Sequence, residues 1–123
     1  MVSALAFGGI PAKLVDRLWE RDYLSVTSPH ILEETRRTLS KKLALDRGRL
    51  DQFLVDLAEV STVVVPTGDL AVSGHGPDDK VLETALLGGC DVLVTGDKRH
   101  LLPLNPFRGL TIEAPSTFLK RLG

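Results

Sequence analysis

The chain has 123 residues, enough for one domain that buries its own core and needs no disulfide or structural metal to fold. Hydrophobic residues make up 43% and charged residues 25%, the balance of an ordinary globular protein. A formal net charge of −1 excludes a strongly basic protein that coats nucleic acid and leaves room only for local basic patches.

A lone cysteine, Cys90, excludes an intrachain disulfide and leads us to expect an intracellular, cytoplasmic protein. With no histidine beside it in sequence, Cys90 reads as a small buried hydrophobe. No apolar run approaches the ~20 residues of a membrane-spanning helix. The opening MVSALAFGGIPAK lacks the basic start of a secretory signal.

The elements follow in chain order. Pro11 suits a first helical position, and Leu14, Val15, Leu18 and Trp19 repeat at helical spacing to about Arg21. Residues 23–26 form a short strand candidate. Ser28 is a good N-cap, with Pro29 behind it, and Ile31, Leu32, Thr35, Leu39 and Leu43 line one face of the helix that follows. A second amphipathic helix over 46–60 turns Leu50, Phe53, Leu54 and Leu57 inward. Residues 62–65 read as a strand closed by Pro66. A polar, glycine-rich loop spans 67–77. Asp78 and Asp79 open a helix through Leu87, complementing its dipole, and Gly88-Gly89 end it. An apolar strand starts at Val92, a short one covers 110–112, and Pro115 or Ser116 starts a C-terminal helix.

Strands alternating with helices predict a single α/β domain over 1–123, three-layered, with a mostly parallel central sheet. The strands are continuous apolar runs, as expected when both sheet faces are covered. In such sheets ligands bind beyond the carboxyl ends of the strands. Asp97, two residues past Thr95 at the end of an apolar strand, sits at such a place.

Other acids lie at comparable positions. Asp78 and Asp79 open the helix before that strand, and Glu33 and Glu34 occupy the early turns of the helix after Ser28. Gathered in one cleft, such carboxylates would repel unless a cation stood among them, and an oxygen-rich set of this kind suits Mg²⁺ or Mn²⁺. Each also has a plainer reading. Asp78 and Asp79 serve as helix-start acids, Glu33 and Glu34 pair with Arg36 and Arg37 on a solvated face, and Asp97 fits a turn. Lys98, Arg99 and His100 form one basic patch beside Asp97, and Arg36, Arg37, Lys41 and Lys42 another. Both read as solvated faces or as phosphate contacts for an RNA backbone. His75 reads as a solvated loop residue, and His30 at its helix start carries no argument.

Three stretches carry a resemblance: SPHILEETRRTL, PDDKVLETALLGGCDVLVTGDKRHLL and LTIEAPSTFL. The middle one is the specific one, with an acidic pair, a helix, small residues, an apolar strand and then Thr-Gly-Asp. In these the chain resembles the PIN-domain family, of the VapC-like kind found as toxins of toxin–antitoxin pairs. The resemblance implies a metal-dependent endoribonuclease with acids around Mg²⁺ or Mn²⁺. It places those acids at Glu34, Asp78 and Asp97, with Asp79 as the nearest rival of Asp78. It makes Thr95 a hydroxyl neighbour of the site, and Lys98, Arg99, Arg36 and Arg37 contacts for RNA.

One departure stands against these matches. The family opens on a central hydrophobic strand ending in an aspartate. Here residues 1–5 correspond to the segment after that motif, and no acid precedes Asp16. The expectation is therefore a chain that lacks the usual first strand and its ligand, either incomplete at its N-terminus or naturally degenerate. A vacant centre leaves two strand edges unpaired, so a homodimer or higher assembly is expected. The alternative function is a catalytically inactive PIN-like module that binds an antitoxin or RNA. A receiver-like or phosphatase domain would also need an aspartate on an early strand, so nothing favours it over the PIN reading.

Overall fold

Strand β1 (Ala4–Gly8) runs through the middle of the sheet. On one side lies β2 (Leu24–Thr27) and then β3 (Ser61–Val63). On the other lies β4 (Val92–Thr95) and then β5 (Thr111–Glu113). Every pairing is parallel. The structure is a computed structural model and describes residues 4–8, 24–42 and 47–122. The expected helix at 11–21, with Trp19, and the expected contact of Leu43 lie outside these residues.

The central strand corrects the expectation that this position would be empty. The run Ala4-Leu5-Ala6-Phe7 is short, but it alternates well. Leu5 and Phe7 enter one core with Val92, Val94 and Phe118, while Ala6 enters the other with Val26, Val81 and Leu93. A strand between two covered faces is selected for such apolar side chains on both sides. With β1 in place, the argument for dimerisation through unpaired central edges loses its premise. The expected absence of an acid at this strand's end stands in the sequence: β1 ends at Gly8, and Gly9 follows.

Four helices complete the two outer layers among the described residues: α1 (Pro29–Lys42), α2 (Arg47–Val60), α3 (Gly76–Leu87) and α4 (Pro115–Leu122). Phe53 of α2 and Phe118 and Leu119 of α4 cover the Leu5–Phe7 face. Ile31 of α1 and Val81, Leu82 and Ala85 of α3 cover the opposite face. Ser28 caps α1 as its residue type predicts, its Oγ accepting the N–H of Ile31 at 3.2 Å. The same Oγ lies 3.1 Å from Thr84 Oγ1, which ties the start of α1 to the middle of α3.

The turn at the end of α3 brings backbone against β2. A Cβ on Gly88 would stand 2.4 Å from Val26 Cγ1 and 3.0 Å from its Cγ2. Val26 is buried and β-branched, so it has little freedom to yield. Gly88→Ala should therefore destabilise the fold by about 1–3 kcal/mol. The result to look for is a lower urea midpoint at unchanged slope, partly recovered when Val26→Ala is added.

The chain passes from β1 outward to β3 and then crosses to β4 and β5 on the other side. The strand order therefore reverses at β1. Crevices at such reversals, beyond the carboxyl ends of the strands, are where parallel sheets hold ligands. Gly8 pairs with Thr95 at that end, two residues before Asp97.

Candidate active site

Asp97 follows β4 and is fixed by its own turn. Its backbone N–H donates to Thr95 Oγ1 at 3.1 Å, and its Oδ1 accepts the N–H groups of Arg99 and His100, each at 2.9 Å. An aspartate that binds backbone two and three residues on is a standard way to make such a turn. One oxygen is thus engaged locally. The other, Oδ2, lies 3.4 Å from His100 Nδ1.

Asp78 arrives from the first turn of α3. Its Oδ2 lies 2.9 Å from His75 Nδ1 and 3.1 Å from His100 Nδ1. The two imidazole rings stack, with centroids 4.9 Å apart and planes 16° from parallel. Asp78 and Asp97 thus meet at His100 Nδ1, and each carboxyl acts on the other's proton affinity. Burial, then the hydrogen bond and charge of Asp97, push the Asp78 carboxyl up to about 6. Burial would raise Asp97 too. Its bond with Asp78 and the N–H groups of His100 and Arg99 outweigh that and hold it down at about 2. Each carboxylate shifts the other, so the two shifts are one coupled event.

Asp79 faces elsewhere. Its Oδ1 accepts the backbone N–H groups of Val72 and Ser73 at 3.2 and 2.8 Å, and it is 6% exposed. Burial acts to raise its carboxyl, but hydrogen bonds from Ser73 and Val72 prevail and hold it low. Glu83, one turn further along α3, accepts hydrogen bonds from the backbone and hydroxyl of Thr67 and from the N–H of Gly68. These two acids lash the loop between β3 and α3 onto the helix. Glu83 is absent from the acids singled out by sequence, although its four-residue spacing from Asp79 places both on one face. Asp79→Ala should free the loop and leave its amides unpaired, a loss worth about 1–3 kcal/mol. The check is hydrogen exchange at Val72 and Ser73, expected to rise by about 10-fold or more.

Glu34 approaches from α1. Its Oε1 lies 3.2 Å from His30 Nε2. Both line a cleft of about 430 Å³ together with Arg37, Lys41, His75 and Pro77. His75 belongs to this cleft and to the Asp78 cluster, so it joins Glu34 to the two aspartates. The chain has three histidines, and all of them stand here. This geometry corrects the expectation that His75 is a free loop residue and that His30 carries no argument. Among the described residues, the donor atoms that lie within 4.8 Å of one another belong to His75, Asp78 and His100. Glu34 stands outside that tight set.

The basic residues divide. Arg37 and Lys41 line the cleft. Arg36 is held by Glu33 on the outer surface through contacts of 2.9 and 3.1 Å. Lys98 and Arg99 lie on the turn beside Asp97. Cys90 packs against the core, and burial pushes its thiol up to about 12, as suits an inert hydrophobe.

Donors of this kind fit a divalent cation. Two carboxylates this close are neutralised either by a shared proton or by a metal ion, and imidazole nitrogens beside them extend the donor set. No described helix is long and apolar enough to cross a membrane.

Two comparisons with known proteins bear on the chain as a whole. A family model described as PIN domain matches residues 1–99, a stretch that contains Glu34, Asp78 and Asp97. The chain is also 32% identical over 123 residues to an uncharacterized protein of Methanocaldococcus jannaschii, covering 91% of this chain and 79% of that protein.

Proposed function

This chain belongs to the PIN-domain family, whose chemistry is metal-dependent cleavage of nucleic acid, and on that premise we propose that it is an Mg²⁺- or Mn²⁺-dependent endoribonuclease. We assign Glu34, Asp78 and Asp97 to the metal and exclude Asp79, whose oxygen is committed to the loop. The toxin half of a toxin–antitoxin pair is the biological setting proposed for it, with RNA as substrate and an antitoxin protein as partner.

The observation that carries the reading is the meeting of Asp78 and Asp97 at His100 Nδ1, 3.1 and 3.4 Å from their Oδ2 atoms, at the turn that follows β4. A divalent ion bound there supplies charge neutralisation at a phosphate and a bound water of lowered pKa. The rest is work of the chain. The turn at residues 97–100 fixes one oxygen of Asp97 and leaves the other 3.4 Å from His100 Nδ1. Arg37 and Lys41 give the cleft the positive charge that an RNA backbone requires. We assign Lys98 and Arg99, exposed on the turn after Asp97, to further contacts with the RNA backbone.

A second reading has its own observation. The central strand ends at Gly8, so the strand itself delivers no carboxylate to the crevice. A PIN-like module that binds RNA or an antitoxin without cutting fits that feature. One experiment separates the two: a labelled single-stranded RNA incubated with the chain and Mn²⁺, with EDTA as blank. Cleavage that EDTA stops supports the nuclease. Intact RNA that is nonetheless retained by the protein supports the module.

A further inference from the structure

We propose that His75 and His100 are themselves metal ligands, joining Asp78 in a mixed imidazole–carboxylate centre. Of the two ions named above, this centre favours Mn²⁺ over Mg²⁺, and it binds a later first-row ion, Co²⁺, Ni²⁺ or Zn²⁺, more tightly still. The inference rests on the nuclease reading for the use of the ion, and on geometry alone for its binding.

The donors converge on one point. His75 Nδ1 and His100 Nδ1 lie 2.9 and 3.1 Å from the same oxygen, Asp78 Oδ2, and all three atoms lie within 4.8 Å of one another. Ligands bound to one ion at ~2.0–2.1 Å stand roughly 3–3.5 Å apart. Two edges of a coordination polyhedron are therefore already near their final length. The rings stack 16° from parallel, and it is the Nδ1 of each that meets the Asp78 oxygen. Asp97 Oδ2, 3.4 Å from His100 Nδ1, stands next to the set as a further oxygen donor.

Both histidines are held by backbone contacts that do not use their rings. The His100 N–H donates to Asp97 Oδ1 at 2.9 Å. The His75 N–H donates to Ser73 Oγ at 3.1 Å, and the Ser73 N–H is bound in turn by Asp79 at 2.8 Å. The aspartate that does not face the site thus positions a histidine that does. Two imidazole nitrogens with one carboxylate suit borderline ions far better than Mg²⁺, which prefers oxygen and holds its waters. A hydrogen-bonded pair of histidines on an aspartate, with no metal, is the competing account of the same distances.

Metal titration of the full chain decides between them. Chelator-treated protein is titrated with Co²⁺ by visible absorption and calorimetry, and separately with Mg²⁺ by calorimetry. The parent is expected to bind one Co²⁺ about 100-fold more tightly than Mg²⁺. His75→Gln and His100→Gln should each lower Co²⁺ affinity by about 10-fold or more and change its ligand-field band, with little effect on Mg²⁺. His75 is half exposed, so its substitution leaves the fold intact even if His100→Gln proves unstable. Variants that titrate with Co²⁺ like the parent, or a parent that binds Mg²⁺ as tightly as Co²⁺, overturn the proposal. Those results leave the nuclease reading standing, because that reading is tested by RNA cleavage. Co²⁺ held by the histidines in a chain that cuts no RNA would sustain this inference and remove the other.

Discussion

Asp97→Asn is expected to lower metal-dependent RNA cleavage by about 100-fold or more while leaving the fold intact. The reason lies in how the two oxygens divide their tasks. Oδ1 accepts the N–H groups of Arg99 and His100, and an asparagine oxygen can do the same. The turn after β4 should therefore survive, with the melting temperature close to the parent's, because losing the Asp97 charge also relieves its repulsion of Asp78. What asparagine cannot supply is the negative charge of Oδ2 toward Asp78 and His100. Without that charge the site has lost a ligand and much of its attraction for a cation. The measurement pairs initial rates on a labelled RNA in Mn²⁺ with a thermal melt of the same samples. Equal rates in parent and variant would remove Asp97 from the machinery. A slow variant that also melts early would show only that the turn had failed.

The position of Asp97 is legible in the sequence because strand and turn chemistry are local. Val92 to Thr95 reads as a buried strand and is one, and a Gly-Asp after it marks a strand end. Ser28 announces its helix in the same way. The choice between Asp78 and Asp79 is not local. Both are helix-start acids, and only the path of residues 67–75 across α3 turns one to the loop and the other to His75 and His100. The histidines are illegible for a related reason. His75 and His100 lie on either side of α3 and β4, and a parallel crossover brings them together although no short-range pattern links them. The central strand escapes sequence reasoning because Ala4-Leu5-Ala6-Phe7 is short and small. Its alternation onto two cores appears only once α3 and α4 are in place to cover them. Glu83 differs from these, since its helical spacing from Asp79 is readable without any structure.

In the absence of divalent metal at pH 7.5, Asp78→Asn should stabilise the protein by about 1 kcal/mol while removing its cleavage. Burial and the neighbouring Asp97 raise the Asp78 carboxyl from 3.8 to about 6, even after the pull of His75 in the other direction. A folded-state value above the unfolded one means that the native state binds this proton more tightly. The associated stability is fully present below about pH 4 and is lost as pH rises through about 6. At pH 7.5 the parent therefore carries a buried charge that costs it stability, whereas asparagine stays neutral. The full shift would correspond to about 3 kcal/mol, and partial solvent access at the cleft reduces this to about 1. The expected gain in melting temperature is about 3–5 °C in EDTA, shrinking as pH falls toward 4. Asp97 works in the opposite sense. Its carboxyl is held at about 2, so its contribution is present above about 4 and lost only as pH falls through about 2. Added Mn²⁺ should reverse the ranking. The parent should gain about 2.7 kcal/mol at a hundredfold excess over Kd, and the variant should gain little. Thermal shift assays in EDTA and in Mn²⁺, at pH 4.5 and 7.5, test both halves. A variant no more stable than the parent in EDTA would mean that the carboxylate pair stores no repulsion. A variant that gains as much from Mn²⁺ as the parent would mean that Asp78 is not a ligand. If both expectations hold, the charge repulsion that destabilises the metal-free fold is the same feature that draws the cation to the site.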